Sequence, residues 1–130
     1  GLGDVYKRQL ANGLLTNRYT ADTSFDPETD YRASMPQYRP ESFEKNRALF
    51  SLLEQLANEH RATASQISLA WMMNKRPAIV PIPGTRHLYR LKENIGAADI
   101  HLTDEEVKVI DTALDAMEMS EVFGGSPIKK

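Results

Sequence analysis

The run Ala78-Ile79-Val80-Pro81-Ile82 constrains the fold more than any other stretch of this chain. It is short, apolar and β-branched, the pattern of a strand buried on both faces of a parallel sheet. Pro81 has no backbone N–H, so it belongs at a strand end or at an edge-like position. Such a strand needs neighbours on both sides, yet the chain offers only one further candidate, near its N-terminus.

The rest reads mainly as helix. From Ser42 to about Glu59, Leu49, Leu52, Leu53 and Leu56 recur at i, i+3, i+4 and i+7, which makes one apolar helical face. After "HRA", Thr63 and Gln66 have the spacing of a capping box. The helix they open carries Ile67, Ala70, Trp71 and Asn74 on one side and Leu69, Met72 and Met73 on the other. A helix apolar over most of its circumference is expected to be largely buried. Pro77 stops it. Pro83-Gly84 turns the chain out of the strand, and a further helix is expected from about His87 to Ala98. Thr103 and Glu106 form a second capping box, followed by the stripe Val107, Ile110, Leu114 and Met117. Residues 20–41, rich in Asp, Pro, Ser and Tyr, read as a long irregular loop, a type often used as a lid or binding loop. Asn12-Gly13 is a turn signal. Residues 118–130 read as a loosely held tail, and its "FGGSP" as a fraying terminus before a substrate-side element. One strand among four helices is too little for a closed α/β layer structure, so the expectation is an incomplete α/β domain.

Composition narrows the class. The chain has 130 residues, is 41% hydrophobic and 26% charged, and carries a net charge of −2. Those values fit an ordinary folded domain and give no positive reason for nucleic-acid or membrane contact. Without cysteine there are no disulfides, thiolate nucleophiles or Cys-type zinc sites. No apolar run approaches the roughly 20 residues of a transmembrane helix, and no signal-peptide pattern is visible. A cytoplasmic location is the default expectation.

The chemistry concentrates at "PIPGTRHLYRLKEN", residues 81–94. A strand, a glycine turn and a helix N-terminus make an anion site, because free N–H groups converge there and the dipole favours negative charge. Gly84 lets an oxygen-rich ligand approach the backbone, and Thr85 adds a hydroxyl. Arg86 and Arg90, at i and i+4, are expected on one helix face, and paired guanidinium groups suit a phosphate. A cation at a helix start costs about 0.3–1 kcal/mol, whereas each hydrogen bond to a charged group contributes about 1.5–3 kcal/mol. A bound phosphate would reverse the sign of the arrangement. The bland alternative is a solvated basic surface, with Lys92 paired to a nearby acid.

The segment "IVPIPGTRHLYRLKENIGAADIHLTDEEVKVID" resembles the C-terminal part of aldo-keto reductases. "ATASQISLAWMMNKRPAIVPIPGT" is similar to that family's helix leading into the last barrel strand, and "LANGLLTNRY" to the segment after its seventh strand. The similarity covers about residues 10 to 125. It implies an α/β fold: the C-terminal portion of a (β/α)8 TIM barrel, mostly helical with the one strand. Such a barrel typically has about 250 residues, so this chain would be its last two β/α units. The resemblance further implies NADP(H) as cofactor and a small aldehyde or ketone as substrate. It assigns Gly84, Thr85 and Arg86 to the turn that holds the 2′-phosphate, Arg90 to the same phosphate, and Glu93 and Asn94 to the adenine. Leu10, Asn12 and Gly13 correspond to the loop beside the pyrophosphate.

Two departures from the family pattern follow. The family's catalytic Asp, Tyr, Lys and His lie on earlier strands, and no position here matches them; Tyr19, Tyr31 and Tyr38 sit in the long loop. Where the family has an apolar strand ending in Ser-Pro, this chain has "VYKRQ", so residues 1–9 are expected to be a foreign scar. Three functions stay open at this point: the cofactor-holding part of a reductase, a nucleotide-binding subunit without turnover, and a truncated chain without independent function.

Other candidates read as structural. His60, His87 and His101 lack metal-type spacing, and His60 sits at a helix end, where a cation suits the dipole. Asp104, Glu105 and Glu106 occupy a first helical turn, where acids belong. Trp71, Met72 and Met73 read as core.

Overall fold

A computed structural model describes residues 10–75 and 79–116. Five α-helices are present among them: α1 (Pro40–Lys45), α2 (Arg47–Glu59), α3 (Ala64–Lys75), α4 (Leu88–Gly96) and α5 (Asp104–Asp115). Short 3-10 helices occupy Ala11–Thr16, Tyr31–Ser34, Pro36–Tyr38 and Ala97–Asp99.

Helix α3 is the hub. The 3-10 turns Ala11–Thr16 and Ala97–Asp99 and helices α2, α4 and α5 all pack against it. Its sequence permits this because Ala64, Ser65, Ser68 and Ala70 are small and buried, which lets neighbours approach from several sides. The Ser68 hydroxyl donates back to the Ala64 carbonyl at 2.9 Å, so its burial leaves no donor unmet. The capping box at its start is complete. Thr63 Oγ1 accepts from the Gln66 N–H at 3.2 Å, and Gln66 Oε1 accepts from the Thr63 N–H at 3.0 Å.

The main core lies between α2, α3 and α5 and contains Leu49, Leu53, Leu56, Ile67, Ala70, Leu102 and Ile110. Of the predicted stripes, Leu49, Leu53, Leu56 and Ile110 are buried in it and Leu52, Val107 and Leu114 pack against it partly buried; Ala57 joins from outside the stripe, and Met117 lies outside the described residues. The second capping box also forms, with Thr103 and Glu106 bonded reciprocally. Glu106 does more than cap. Its Oε1 lies 2.7 Å from Nε2 of His60, the C-cap of α2, while its Oε2 accepts from the Thr103 N–H at 2.7 Å. One carboxylate therefore ties the end of α2 to the start of α5.

Four expectations are corrected. Of the run at residues 78–82, Ala78 lies outside the described residues, and residues 79–82 form no strand: none occurs among the described residues, and Val80 and Ile82 are 70% and 77% exposed. A strand is completed by a ladder with another strand, and no second strand accompanies it among the described residues. The helix expected over 42–59 is two helices. Asn46, at φ −98° and ψ 7°, interrupts the helical path, and Pro40 starts α1 earlier from a first-turn position that needs no N–H. The helix expected over 87–98 ends at Gly96 and tightens into the 3-10 turn Ala97–Asp99.

The fourth correction concerns residues 20–41, which are packed rather than irregular throughout. Tyr38 and Phe43 are buried, and the rings of Tyr19, Phe25 and Phe50 pack against them. Edge-on contacts set Phe25 4.8 Å and Tyr19 5.7 Å from Tyr38, centroid to centroid. The Arg32 guanidinium lies 4.5 Å from the Phe25 centroid, donates to Tyr19 Oη at 2.7 Å and pairs with Asp30. A cation over aromatic faces, neutralised by a neighbouring carboxylate, knits this proline-rich segment together. Within it, burial pushes the Tyr38 phenol up to about 12.

Two stability tests follow. Gly13 has φ +101°, and a Cβ there would lie 2.9 Å from Tyr19 Cε2. Gly13→Ala is expected to destabilise the fold by about 1–3 kcal/mol, read as a lower urea midpoint. Burial raises the Glu106 carboxyl, but the bonds from Thr103 and His60 outweigh it and hold the group below the ordinary glutamate value of 4.5. The unfolded chain therefore takes up this proton first as pH falls. The contribution of Glu106 is complete above pH 4.5 and is lost as pH drops through the depressed folded value. Urea midpoints between about pH 3 and 6 should fall less steeply with acid in Glu106→Gln than in the parent chain.

Candidate functional site

The turn after residues 79–82 reaches α4 through Gly84, Thr85 and Arg86. Gly84 is exposed, and a Cβ built on it would meet nothing within 4 Å. The Thr85 hydroxyl accepts from the His87 N–H at 3.1 Å, which fixes the last bend before the helix. His87, the N-cap, has an extended backbone (φ −114°, ψ 125°) and gives the helix no side-chain cap. The first turn of α4 contains no acid. Its N–H groups and positive dipole end are thus left for an external acceptor.

The cations are arranged differently from expectation. Because α4 begins at Leu88, Arg86 lies outside the helix, and the i, i+4 rule does not set it on one face with Arg90. Arg86 is exposed beside the turn, whereas Arg90 is half-buried, with Nε 3.1 Å from Tyr89 Oη. Among the described residues no carboxylate forms an ion pair with Arg86, Arg90 or Lys92. The pairing of Lys92 with an acid is therefore not found there.

Glu93 faces α3. Its Oε1 accepts from the Thr63 hydroxyl at 2.6 Å, and its backbone carbonyl accepts from Gln66 Nε2 at 2.8 Å. Asn94 is half-buried, and its carbonyl accepts from the Ala97 N–H. Gly96 allows the close approach: a Cβ there would lie 2.7 Å from Gln66 Nε2. Thr63 and Gln66 thus position the whole turn-and-helix unit. The capping-box spacing revealed the pair, but spacing alone reads only its local role. A bond to a residue 27 or 30 positions away has no periodic signature.

Leu10 and Gly13 belong to the other element seated on α3. The Leu10 carbonyl accepts from the N–H groups of Gly13 and Leu15 at 2.8 and 3.3 Å. Asn12 lies in the same 3-10 helix. The structure therefore gives the two parts of the predicted site a common base, since Ala11–Thr16 and α4 both pack on α3.

The remaining candidates take structural partners. His60 is held by Glu106, and the His87 ring lies 5.5 Å from that of Tyr89. Trp71 Nε1 donates to Asp111 Oδ1 at 2.9 Å, and Lys75 Nζ reaches the same oxygen at 2.8 Å. Beside them an apolar cleft opens between α2, α3 and α5, lined by Leu15, Leu49, Leu53, Ile110 and Leu114; no residue of the 83–94 turn lines it. Among the described residues no three His, Asp or Glu side chains gather as a metal would require, and no helix is long and apolar enough to cross a membrane.

Comparison with known proteins places this geometry. The pattern of the Aldo/keto reductase family matches residues 3–115. Aldo-keto reductase str7 of Strobilurus tenacellus is 36% identical over 119 residues, which are 92% of this chain and 35% of that protein. Aldo-keto reductase yakc [NADP(+)] of Schizosaccharomyces pombe is 40% identical over 110 residues, 85% of this chain and 32% of its own length. Probable aldo-keto reductase 1 of Glycine max is 30% identical over 125 residues, 96% and 35% respectively. The chain spans about a third of the length of the curated relatives it matches. With the match running through the helices and the basic turn alike, the chain belongs to the aldo-keto reductase family.

Proposed function

We propose that this chain is the NADP(H)-holding, C-terminal part of an aldo-keto reductase barrel. The observation that carries the reading is the start of α4, where a helix without a capping side chain or a first-turn acid follows an open glycine turn and an arginine with no ion pair among the described residues. The donor set suits a phosphate ester: backbone N–H groups, the Thr85 hydroxyl and a guanidinium can each donate, and residues 83–87 include no carboxylate that would repel it. The fission-yeast relative carries NADP(+) in its name, which supports the same choice of cofactor.

In this reading Gly84, Thr85 and Arg86 would hold the 2′-phosphate, and Arg90 would add charge at the same end. Glu93 keeps one carboxylate oxygen beyond its bond to Thr63, and Glu93 and Asn94 would face the adenine. Leu10, Asn12 and Gly13 would border the pyrophosphate. The cofactor, when bound, supplies the hydride that reduces an aldehyde or ketone. The residues of this chain bind and orient. The Asp, Tyr, Lys and His that handle the proton would come from earlier strands. Thr63 and Gln66 act on binding through α4, by holding the turn in place before the ligand arrives.

Two measurements test this. In a full-length parent enzyme, Arg86→Glu should weaken NADPH binding at least tenfold, about 1.4 kcal/mol, and NADH binding much less. Equal losses for both cofactors would sink the phosphate assignment. The chain by itself should show no NADPH consumption with an aldehyde above a protein-free control.

A further inference from the structure

The cleft between α2, α3 and α5 has a volume of about 420 Å³, within the roughly 300–1,000 Å³ typical of small-molecule sites. It reaches down to the core itself. Leu49, Leu53 and Ile110 line it, and each is only 2% exposed. Half-buried Leu15 and Leu114 add to the apolar lining. The charged lining is unbalanced: Lys75 is the one cation, set against the carboxylates of Asp111 and Asp115. Lys75 is already committed. Its Nζ is 2.8 Å from Asp111 Oδ1 and 4.9 Å from the centroid of the Trp71 ring, and Trp71 Nε1 donates to the same Oδ1 at 2.9 Å. Among the described residues nothing donates to Asp111 Oδ2, and Asp115 has no ion pair. Asp111 and Asp115 stand at i and i+4 on α5, so their carboxylates share a helix face. An apolar hollow thus carries two open acceptors and one uncompensated negative charge.

We infer that this cleft is a binding site for a small amphipathic amine. The aryl or alkyl body lies against Leu49, Leu53 and Ile110, and the ammonium donates to Asp111 Oδ2 and Asp115. Charge complementarity selects this occupant. An ammonium cancels the excess negative charge and fills both open acceptors. A carboxylate or phosphate head would meet two like charges for one cation that is already paired. A purely apolar molecule would fill the hollow but leave the acceptors to water. The Trp71 ring, already facing the Lys75 ammonium, offers a cation-receptive surface beside them. The site is the chemical opposite of the donor-rich turn before α4, and no residue of that turn lines it. The inference therefore stands apart from the cofactor reading.

Trp71 is the sole tryptophan of the chain, so its fluorescence reports on the cleft directly. The test titrates the full chain with 4-phenylbutylamine, 4-phenylbutanol and 4-phenylbutyrate at neutral pH and low salt, where the amine is charged and screening is weak. The three share one body and differ in the head. A saturable change in Trp71 emission is expected, with the amine binding at least tenfold tighter than the alcohol and the carboxylate weaker than both. Asp115→Asn should remove most of the amine's advantage and leave the alcohol unchanged. Asp104→Asn, an exposed change at the opposite end of α5, should alter neither. Leu114→Phe should weaken all three by narrowing the apolar lining. If circular dichroism shows that this variant has lost its helices, the exposed Asp115→Asn change still decides. No saturable response to the amine would overturn the inference. So would equal affinity for amine and carboxylate, an amine affinity indifferent to Asp115→Asn, or a dimer, seen by light scattering, that excludes the amine. Added NADPH should leave the amine affinity unmoved, so failure of the cofactor assignment and failure of this one are read separately.

Discussion

The main core leans on α3, and α3 can bear it because its first two turns have small sides and its start is fully capped. A helix buried on several sides has no solvent face on which to place unmet polar groups. Ser68 is tolerated inside because its hydroxyl bonds back to its own turn. The N-terminus is tolerated close to α4 because Thr63 and Gln66 satisfy each other before they bond outward.

The same helix explains why a turn proposed to hold a ligand can sit at the edge of so small a core. Gly84 and Arg86 are exposed and Thr85 is half-buried, and a loop of that kind has little packing of its own. Its placement is inherited from α4, and α4 takes its placement from two side chains of the α3 cap. Precision at the proposed ligand site is thus delegated to hydrogen bonds behind it. This keeps the first-turn N–H groups of α4 open.

Much of this was legible in the sequence, and the gaps have physical causes. The two capping boxes, the Leu49-Leu53-Leu56 stripe and the burial of the first two turns of α3 follow from periodicity and local chemistry, whereas Trp71, Met72 and Met73, read as core, are only half-buried. Residues 79–82 show no strand among the described residues because strand formation is a property of pairs, and composition alone cannot supply the partner. The order in residues 20–41 was hidden because aromatic packing around Arg32 has no fixed spacing along the chain. The position of Arg86 outside α4 turned on one residue, His87, adopting an extended backbone. The inward bonds of Glu93 were invisible for the same reason as the aromatic cluster: they join residues distant in sequence. The family resemblance, carried by motif order, needed none of these details and holds independently of them.

Gln66 illustrates how such a design narrows what may replace a residue. A capping box ordinarily accepts glutamate or glutamine at its third helical position, since either offers an oxygen to the cap N–H. Here the amide oxygen serves the cap while the amide nitrogen donates to the Glu93 carbonyl in α4. Glutamate would keep the first bond, lose the second, and set a negative charge against a carbonyl oxygen and the neighbouring Glu93 carboxylate. An exchange that is neutral at an isolated helix end is therefore closed at this one, and drift at position 66 should be restricted by a helix 27 residues away.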